Sequence, residues 1–376
     1  MNSKERVYCS IGHQEPDRVP LALWGGSYGL VDDLYLNMLD LLELDNPVAP
    51  FRKGHTINYL DDRVLDLLGT DIRYISPGLS PTSPRFPTDE ENIFKDSFGQ
   101  KWIQTYPYFS TDEGLLREIK SENEIDGLVN WPDANDPAWV EGVAARAAAL
   151  TKSAEHFIVG RMVTSHGPFQ LASDLRGMDN FLLDMAVDPD LSSALLERVT
   201  ETICDLLRVF LIETNGALDM IELPGDDYAN NDFLIFSPKM FRDYMKPCIE
   251  RMVKTIRGIQ PQIKIMLHSD GAITDLIPDV IDLGIDVLHP LEPVRGMDIP
   301  LIKEKYGKDI SFIGGIDISK AMTGSLQDVR TDVDRCLRDL AWGGGYILGP
   351  ANHLQADVPA ENVLELFRYA AEAGRY

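Results

Sequence analysis

The sequence predicts an α/β fold: a (β/α)8 TIM barrel with an irregular excursion after the second strand. Two observations carry this. From about residue 155 onward, short apolar runs alternate with amphipathic helical stretches. The runs are rich in Ile, Val and Leu and are continuous, as parallel strands covered on both faces must be. With two earlier candidates they bring the strands to eight, the number that closes a barrel. No GxGxxG or GxxxxGK[ST] follows any of them, so an open nucleotide-binding sheet loses its usual support.

In chain order the predicted strands are "VPLALW" (19–24), "DIRYI" (71–75), "HFIVGRMV" (156–163), "LDMIEL" (218–223), "IKIML" (263–267), "IDVLH" (285–289), "ISFIGG" (310–315) and "YILGP" (346–350). Stretches such as 188–215 and 325–342 between them have the spacing of amphipathic helices. Residues 76–135 break the alternation and hold a hairpin pattern around "IFKDSFGQKWIQTY" (93–106). That segment is expected to leave the barrel near its mouth and to choose the substrate. No linker divides the chain, so residues 1–376 are expected to form a single domain.

Composition bounds the function. Sixty acidic residues against 35 basic ones give a net charge of -25, a field that repels nucleic acid and anionic membranes. A highly anionic substrate is awkward too, unless a local basic pocket offsets the field. No apolar run approaches the ~18 to 20 residues of a membrane span, and "MNSKERVYCSIGHQEPDRVP" has no signal-peptide core. A cytoplasmic protein is expected. The four cysteines, at 9, 204, 248 and 336, form no CxxC pair and read as scattered thiols.

In a barrel, residues just after each strand face one end of the molecule, where barrel enzymes keep their chemistry. Four of the seven histidines stand there: His166, His268, His289 and His353. His268 and Asp270 are two apart, so in extended chain they point to one side and can share a divalent ion or form an acid–base pair; Asp270 also reads as a helix N-cap. His289 reads as a reactive group or as a hydrogen-bonded wall residue. Of the adjacent Asp226 and Asp227, spacing turns at most one inward. Glu222 ends an apolar strand, where a buried carboxylate needs a cation or hydrogen-bond donors.

The chain resembles the uroporphyrinogen decarboxylase superfamily nearly end to end. The likeness is carried by "SKERVYCSIGHQEPDRVPLALW", "HGPFQLASDLRGMDNFLLDMAVDPDLSSALLERV", "GDDYANNDFLIFSPKMFRDYMKP", "LHSDGAITDLIPDVIDLGIDVLHPLEP", "FIGGID" and "GGGYILGPANHLQADVPAENVLEL", in that order. The true decarboxylases carry an RQAGRY-type motif after the first strand; here that place reads "WGGSYGLVDDLY". Their aspartate past the second strand is replaced by Ser76 and Pro77. Methyl-cobamide:thiol methyltransferases carry His-x-Cys where this chain has His268 and Asp270, and a later cysteine where it has Asn352.

The resemblance therefore implies a corrinoid-dependent demethylase of a small O- or N-methylated substrate, with a uroporphyrinogen decarboxylase-like lyase as the alternative. A zinc site with two thiolates is excluded. The implied metal ligands, for zinc or another divalent ion, are His268, Asp270, Glu222 and His353. His268, Asp270, Asp226 and Asp227 are the catalytic candidates. Trp24, His166, Phe169, Tyr228, His289 and Asn352 are the candidates for lining the substrate, although core packing is the stronger claim on any one of the aromatic ones. The implied partners are a small-molecule methyl donor and a corrinoid protein; a homodimer is compatible with the sequence.

Overall fold

The computed structural model describes every residue except Lys53, residues 80–84, Pro107 and Asp112. Residues 80–84 belong to the segment expected to choose the substrate and so lie outside the described part. The strands are β1 (Ile72–Ile75), β2 (Phe86–Pro87), β3 (Ile93–Lys95), β4 (Lys101–Thr105), β5 (Tyr108–Thr111), β6 (Phe157–Gly160), β7 (Met220–Glu222), β8 (Lys264–His268), β9 (Val287–His289), β10 (Ser311–Ile316) and β11 (Tyr346–Pro350). Seven of them form one parallel sheet in the order β1-β6-β7-β8-β9-β10-β11. Each neighbour in space is the next barrel strand in sequence, as right-handed β-α-β winding requires.

The eighth stave is the 19–24 stretch, and it is a bridge rather than a full strand. Leu21 pairs in parallel with Leu348. Ala22 N–H donates to the Leu348 carbonyl and Asp71 N–H to the Leu21 carbonyl, both at 2.9 Å, so the stretch touches β11 on one side and the start of β1 on the other. Two features cut the ladder short. Pro20 has no N–H to give, and Leu21 N–H is taken by the Asp71 carboxylate at 2.8 Å. The buried Asp71 is in turn held by Arg6 and Arg18 at 2.6 and 2.8 Å. The ring closes through a charged clamp as much as through backbone pairing.

The excursion after β1 is an antiparallel sheet of order β2-β3-β4-β5. Its centre is the expected hairpin, with Phe94 opposite Trp102. The turn forms because Gly99 adopts φ 87°, while Asp96 accepts from Gln100 N–H at 3.0 Å. Tyr106 bonds Asp33 and Tyr108 bonds Gln355, at 2.8 and 2.7 Å, tying this sheet to the first turn of the helix Asp32–Leu41 and to the loop that follows the last stave. Apart from the half-buried Lys264 that begins β8, the barrel strands are buried throughout, which accounts for their unbroken apolar character. Among the described residues, no helix is long and apolar enough to cross a membrane.

Candidate metal and substrate site

His268 ends β8 and His289 ends β9, and the two are register partners across that parallel pair. Adjacent residues in register point the same way, so the rings meet with Nδ1 to Nδ1 at 2.8 Å. The Nε2 of His289 lies 3.4 Å from the Pro350 carbonyl, which can only accept. His289 therefore carries its hydrogen on Nε2 and accepts at Nδ1. His268 must then donate from Nδ1, which leaves its Nε2 as a bare lone pair. Burial lowers the pKa of both rings, and for His289 the neighbouring His268 adds to it, so the relay is of neutral imidazoles.

That lone pair faces two carboxylates. His268 Nε2 is 3.6 Å from Asp227 Oδ1 and 3.8 Å from Asp270 Oδ1. These three groups can bring one ligand atom each within 4.8 Å of one another. Asp227 Oδ1 also accepts the Asp270 backbone N–H at 2.9 Å. Asn352 donates its amide to Asp270 Oδ2 and accepts from His353 N–H through Oδ1, so its orientation is fixed. Asp270 Oδ1 is buried and has no hydrogen-bond partner among the described residues. Burial, then repulsion from Asp227 and Glu292, pushes the Asp270 carboxyl far above the ordinary range. A cation among these atoms would satisfy the orphaned oxygen and remove that repulsion. One imidazole nitrogen and two carboxylate oxygens, with further positions open, suit a divalent ion of the zinc type. The donor set fits.

The four-ligand set expected from the sequence is not the one assembled. Glu222 stands apart, accepting from Gly26 N–H at 2.7 Å and from the Tyr28 hydroxyl at 3.3 Å. Gly26 allows this approach because a Cβ there would lie 2.8 Å from the Glu222 oxygen. The second glycine of "WGGSYG" thus serves a buried acid. Burial lifts the Glu222 carboxyl to about 7 against the pull of Arg161. His353 lines the same cavity, but its ring is not in the three-residue group. Asp227, rather than Glu222, is the carboxylate brought beside His268 and Asp270.

The adjacent aspartates divide as spacing requires. Asp227 lines the cavity. Asp226 is buried and turned away, accepting from Phe169 N–H at 3.0 Å, Gln170 N–H at 2.8 Å and the Tyr228 hydroxyl at 3.2 Å. It caps the helix Pro168–Arg176 from another segment of chain, so a catalytic part for Asp226 is not supported. Phe169 and Tyr228 belong to a buried aromatic cluster with Phe181, Phe236 and Phe241. Trp24 is buried against Tyr35. None of these three lines the cavity, so they are packing residues. His289 is a wall residue that steers His268. His166 and Asn352 do line the cavity. His166 Nδ1 sits 2.5 Å from Asp174, and that carboxylate outweighs burial to raise the imidazole pKa.

The cavity measures about 290 Å³, near the lower end of roughly 300–1,000 Å³ for small-molecule sites. Its lining includes three residues not anticipated from the sequence: Arg52, His55 and Arg161. Arg161 had a legible signal, an arginine inside the apolar run "HFIVGRMV". Arg52 and His55, in the loop "FRKGH", had none. Gly225 is a further omission: a Cβ there would meet the His268 ring at 2.6 Å, so glycine in "LPGDD" is what admits the imidazole.

The sequence matches the family model described as uroporphyrinogen decarboxylase (URO-D) over residues 116–373. No curated protein matches the chain. Among solved structures, a methyltransferase from Methanosarcina mazei superposes with a TM-score of 0.69 at 17% identity, covering 99% of each chain. A psychrophilic glycoside hydrolase family 10 endo-beta-1,4-xylanase gives a TM-score of 0.39 at 10% identity over 62% of this chain and 83% of its own. With the family match spanning most of the barrel and the whole fold shared with the methyltransferase, the chain belongs to the uroporphyrinogen decarboxylase family.

Proposed function

We propose that the protein is a metal-dependent methyltransferase that demethylates a small O- or N-methylated substrate and passes the methyl group to a corrinoid carried by a partner protein. The observation that carries this reading is the cluster His268, Asp227 and Asp270 at the barrel mouth, with the His268 lone pair aimed at two carboxylate oxygens. When a methyl group leaves an ether or amine for a nucleophile, the departing oxygen or nitrogen gains electron density and needs stabilisation. A divalent ion held by these three residues would supply Lewis acidity there. His289 keeps His268 in the ligating tautomer, and Asn352 holds the Asp270 carboxylate in place. His166, braced by Asp174, lines the same cavity as a proton donor for the leaving group.

With no thiolate in the donor set, the cluster suits an oxygen or nitrogen substrate better than a thiol. Asp270 and Asn352 stand where the thiol methyltransferases that the sequence resembles carry their cysteines, so the donors beside His268 are the hard oxygens of Asp227 and Asp270. A decarboxylase acting on an octa-anionic tetrapyrrole is disfavoured by the small cavity and by only two guanidinium groups in its lining.

Metal analysis of the purified protein before and after chelation, paired with a methyl-transfer assay to a corrinoid acceptor, tests this. Stoichiometric divalent metal, activity lost on chelation and restored by zinc, and an inactive but folded His268→Ala variant are expected. Full activity after chelation, or carbon dioxide release without corrinoid dependence, would overturn it.

A further inference from the structure

The metal cluster accounts for one part of the cavity and leaves its arginines unexplained. Elsewhere in the molecule, buried arginines have acidic partners: Arg6 with Asp17 and Asp71, Arg73 with Asp66, Arg176 with Asp184. Arg161 is just as buried, and no carboxylate among the described residues is within ion-pair distance of it. Its contacts are the Gly25 carbonyl at 3.0 Å and the Ser76 hydroxyl at 3.5 Å, and its Nε has no acceptor. Arg52 bonds the Ile57 carbonyl at 2.6 Å while its Nη2 is buried without an acceptor among the described residues. The two guanidinium carbons lie 4.6 and 5.0 Å from the centre of one ring, Phe51.

Two more groups extend this region. Arg85, also buried and without a carboxylate at ion-pair distance among the described residues, stacks 3.7 Å over Trp102, and its Nε has no partner among those residues. His55 accepts Ile57 N–H at Nδ1, so its neutral ring carries hydrogen on Nε2 as a donor. Gathering unpaired cations is costly: each buried guanidinium without a counter-ion has lost hydration that nothing replaces, and like charges add repulsion. A chain with 60 acidic and 35 basic residues had carboxylates in excess to place there. Among the described residues it placed none within ion-pair distance.

We propose that the substrate carries a carboxylate, and that Arg52 and Arg161 bind it in the cavity that also holds the His268–Asp227–Asp270 cluster. The inference deepens the methyl-donor reading of this cavity by naming the substrate class. Several observations favour a carboxylate over a phosphate dianion. Glu222 and Asp32 lie beyond ion-pair distance but still act on Arg161 and Arg52, which favours a ligand of one negative charge over one of two. The planar forks of two arginines match a planar monoanion. The local cations also answer the repulsion that a chain of charge -25 exerts on any acid.

The test is equilibrium binding to the metal-stripped full-length protein, by calorimetry, of acetate, butyrate and benzoate, each against its uncharged amide, with inorganic phosphate as a further probe. At least one acid should bind about tenfold or more tighter than its amide. That preference should vanish in both Arg161→Gln and Arg52→Gln, with circular dichroism reporting the fold. Should Arg161→Gln not fold, Arg52→Gln, on a loop, decides. No acid outbinding its amide, a preference indifferent to the arginines, or phosphate outbinding every acid through them would each overturn the proposal. Because the protein is stripped of metal, failure of the methyl-transfer reading leaves this result standing, and the reverse also holds.

Discussion

His268 and His289 face each other across adjacent parallel strands with Nδ1 to Nδ1 at 2.8 Å, one donating and the other accepting. The direction is set from outside by the Pro350 carbonyl at the far nitrogen of His289. A side chain that binds nothing itself thereby decides which nitrogen of its neighbour is free.

Replacing His289 by leucine removes the acceptor and lets His268 rotate or change tautomer. Zinc affinity, measured by competition with a chromophoric chelator, should fall about 10- to 100-fold. An affinity equal to that of the parent protein would mean that something other than this relay orients His268.

Asp227 and Glu222 should respond oppositely to loss of charge. Asp227→Asn removes a carboxylate beside His268 and should reduce bound metal to a small fraction of one equivalent. Glu222→Gln, whose carboxyl is hydrogen-bonded to Gly26 and Tyr28, should retain the full amount. Metal content by mass spectrometry separates the two, and equal losses would restore Glu222 to the ligand set.

Glu222 also makes stability depend on pH. Its carboxyl rises from 4.5 to about 7 on burial, so the folded chain holds a proton that the unfolded chain has released across that interval. The stabilisation is complete below about pH 4.5 and is lost as pH rises through 7. Glu222→Gln removes this term. Between pH 5 and 8 the thermal midpoint of the variant should fall less steeply, the two proteins diverging by up to on the order of 3 kcal/mol. Parallel profiles would show that Glu222 is ionised throughout.

Phe169→Ala bears on the aromatic residues of the mouth. The ring is buried among Phe181, Tyr228 and Phe236, so truncation should cost about 3–5 kcal/mol of stability. A folded variant of unchanged stability with a raised KM would instead return Phe169 to the substrate wall.

The barrel was legible because its signal is periodic and redundant: seven continuous apolar runs became the seven parallel strands. The eighth was harder to read, since Pro20 and the Asp71 carboxylate divert its backbone groups. His268 and Asp270 were legible because they are two residues apart at a strand end. Choosing between Glu222 and Asp227 was not, because that depends on a loop turning back after β7 and on Gly26 arriving from nearly two hundred residues away. The arginines show the same limit. Only convergence in space reveals that Arg52 and Arg161 share one phenylalanine ring and, among the described residues, have no carboxylate at ion-pair distance.

The excursion β2–β5 separates inheritance within the site. His268 and His289 are set by barrel strands, where a one-residue slip would reverse their facing. Arg52, Arg85 and the sheet that Tyr106 and Tyr108 fasten over the mouth sit on chain outside the ring. Loop chain of this kind tolerates insertion and exchange far better than staves do. A lineage built on this barrel can therefore trade one molecular diet for another by rewriting its early loops, while the histidine pair set by the staves stays untouched.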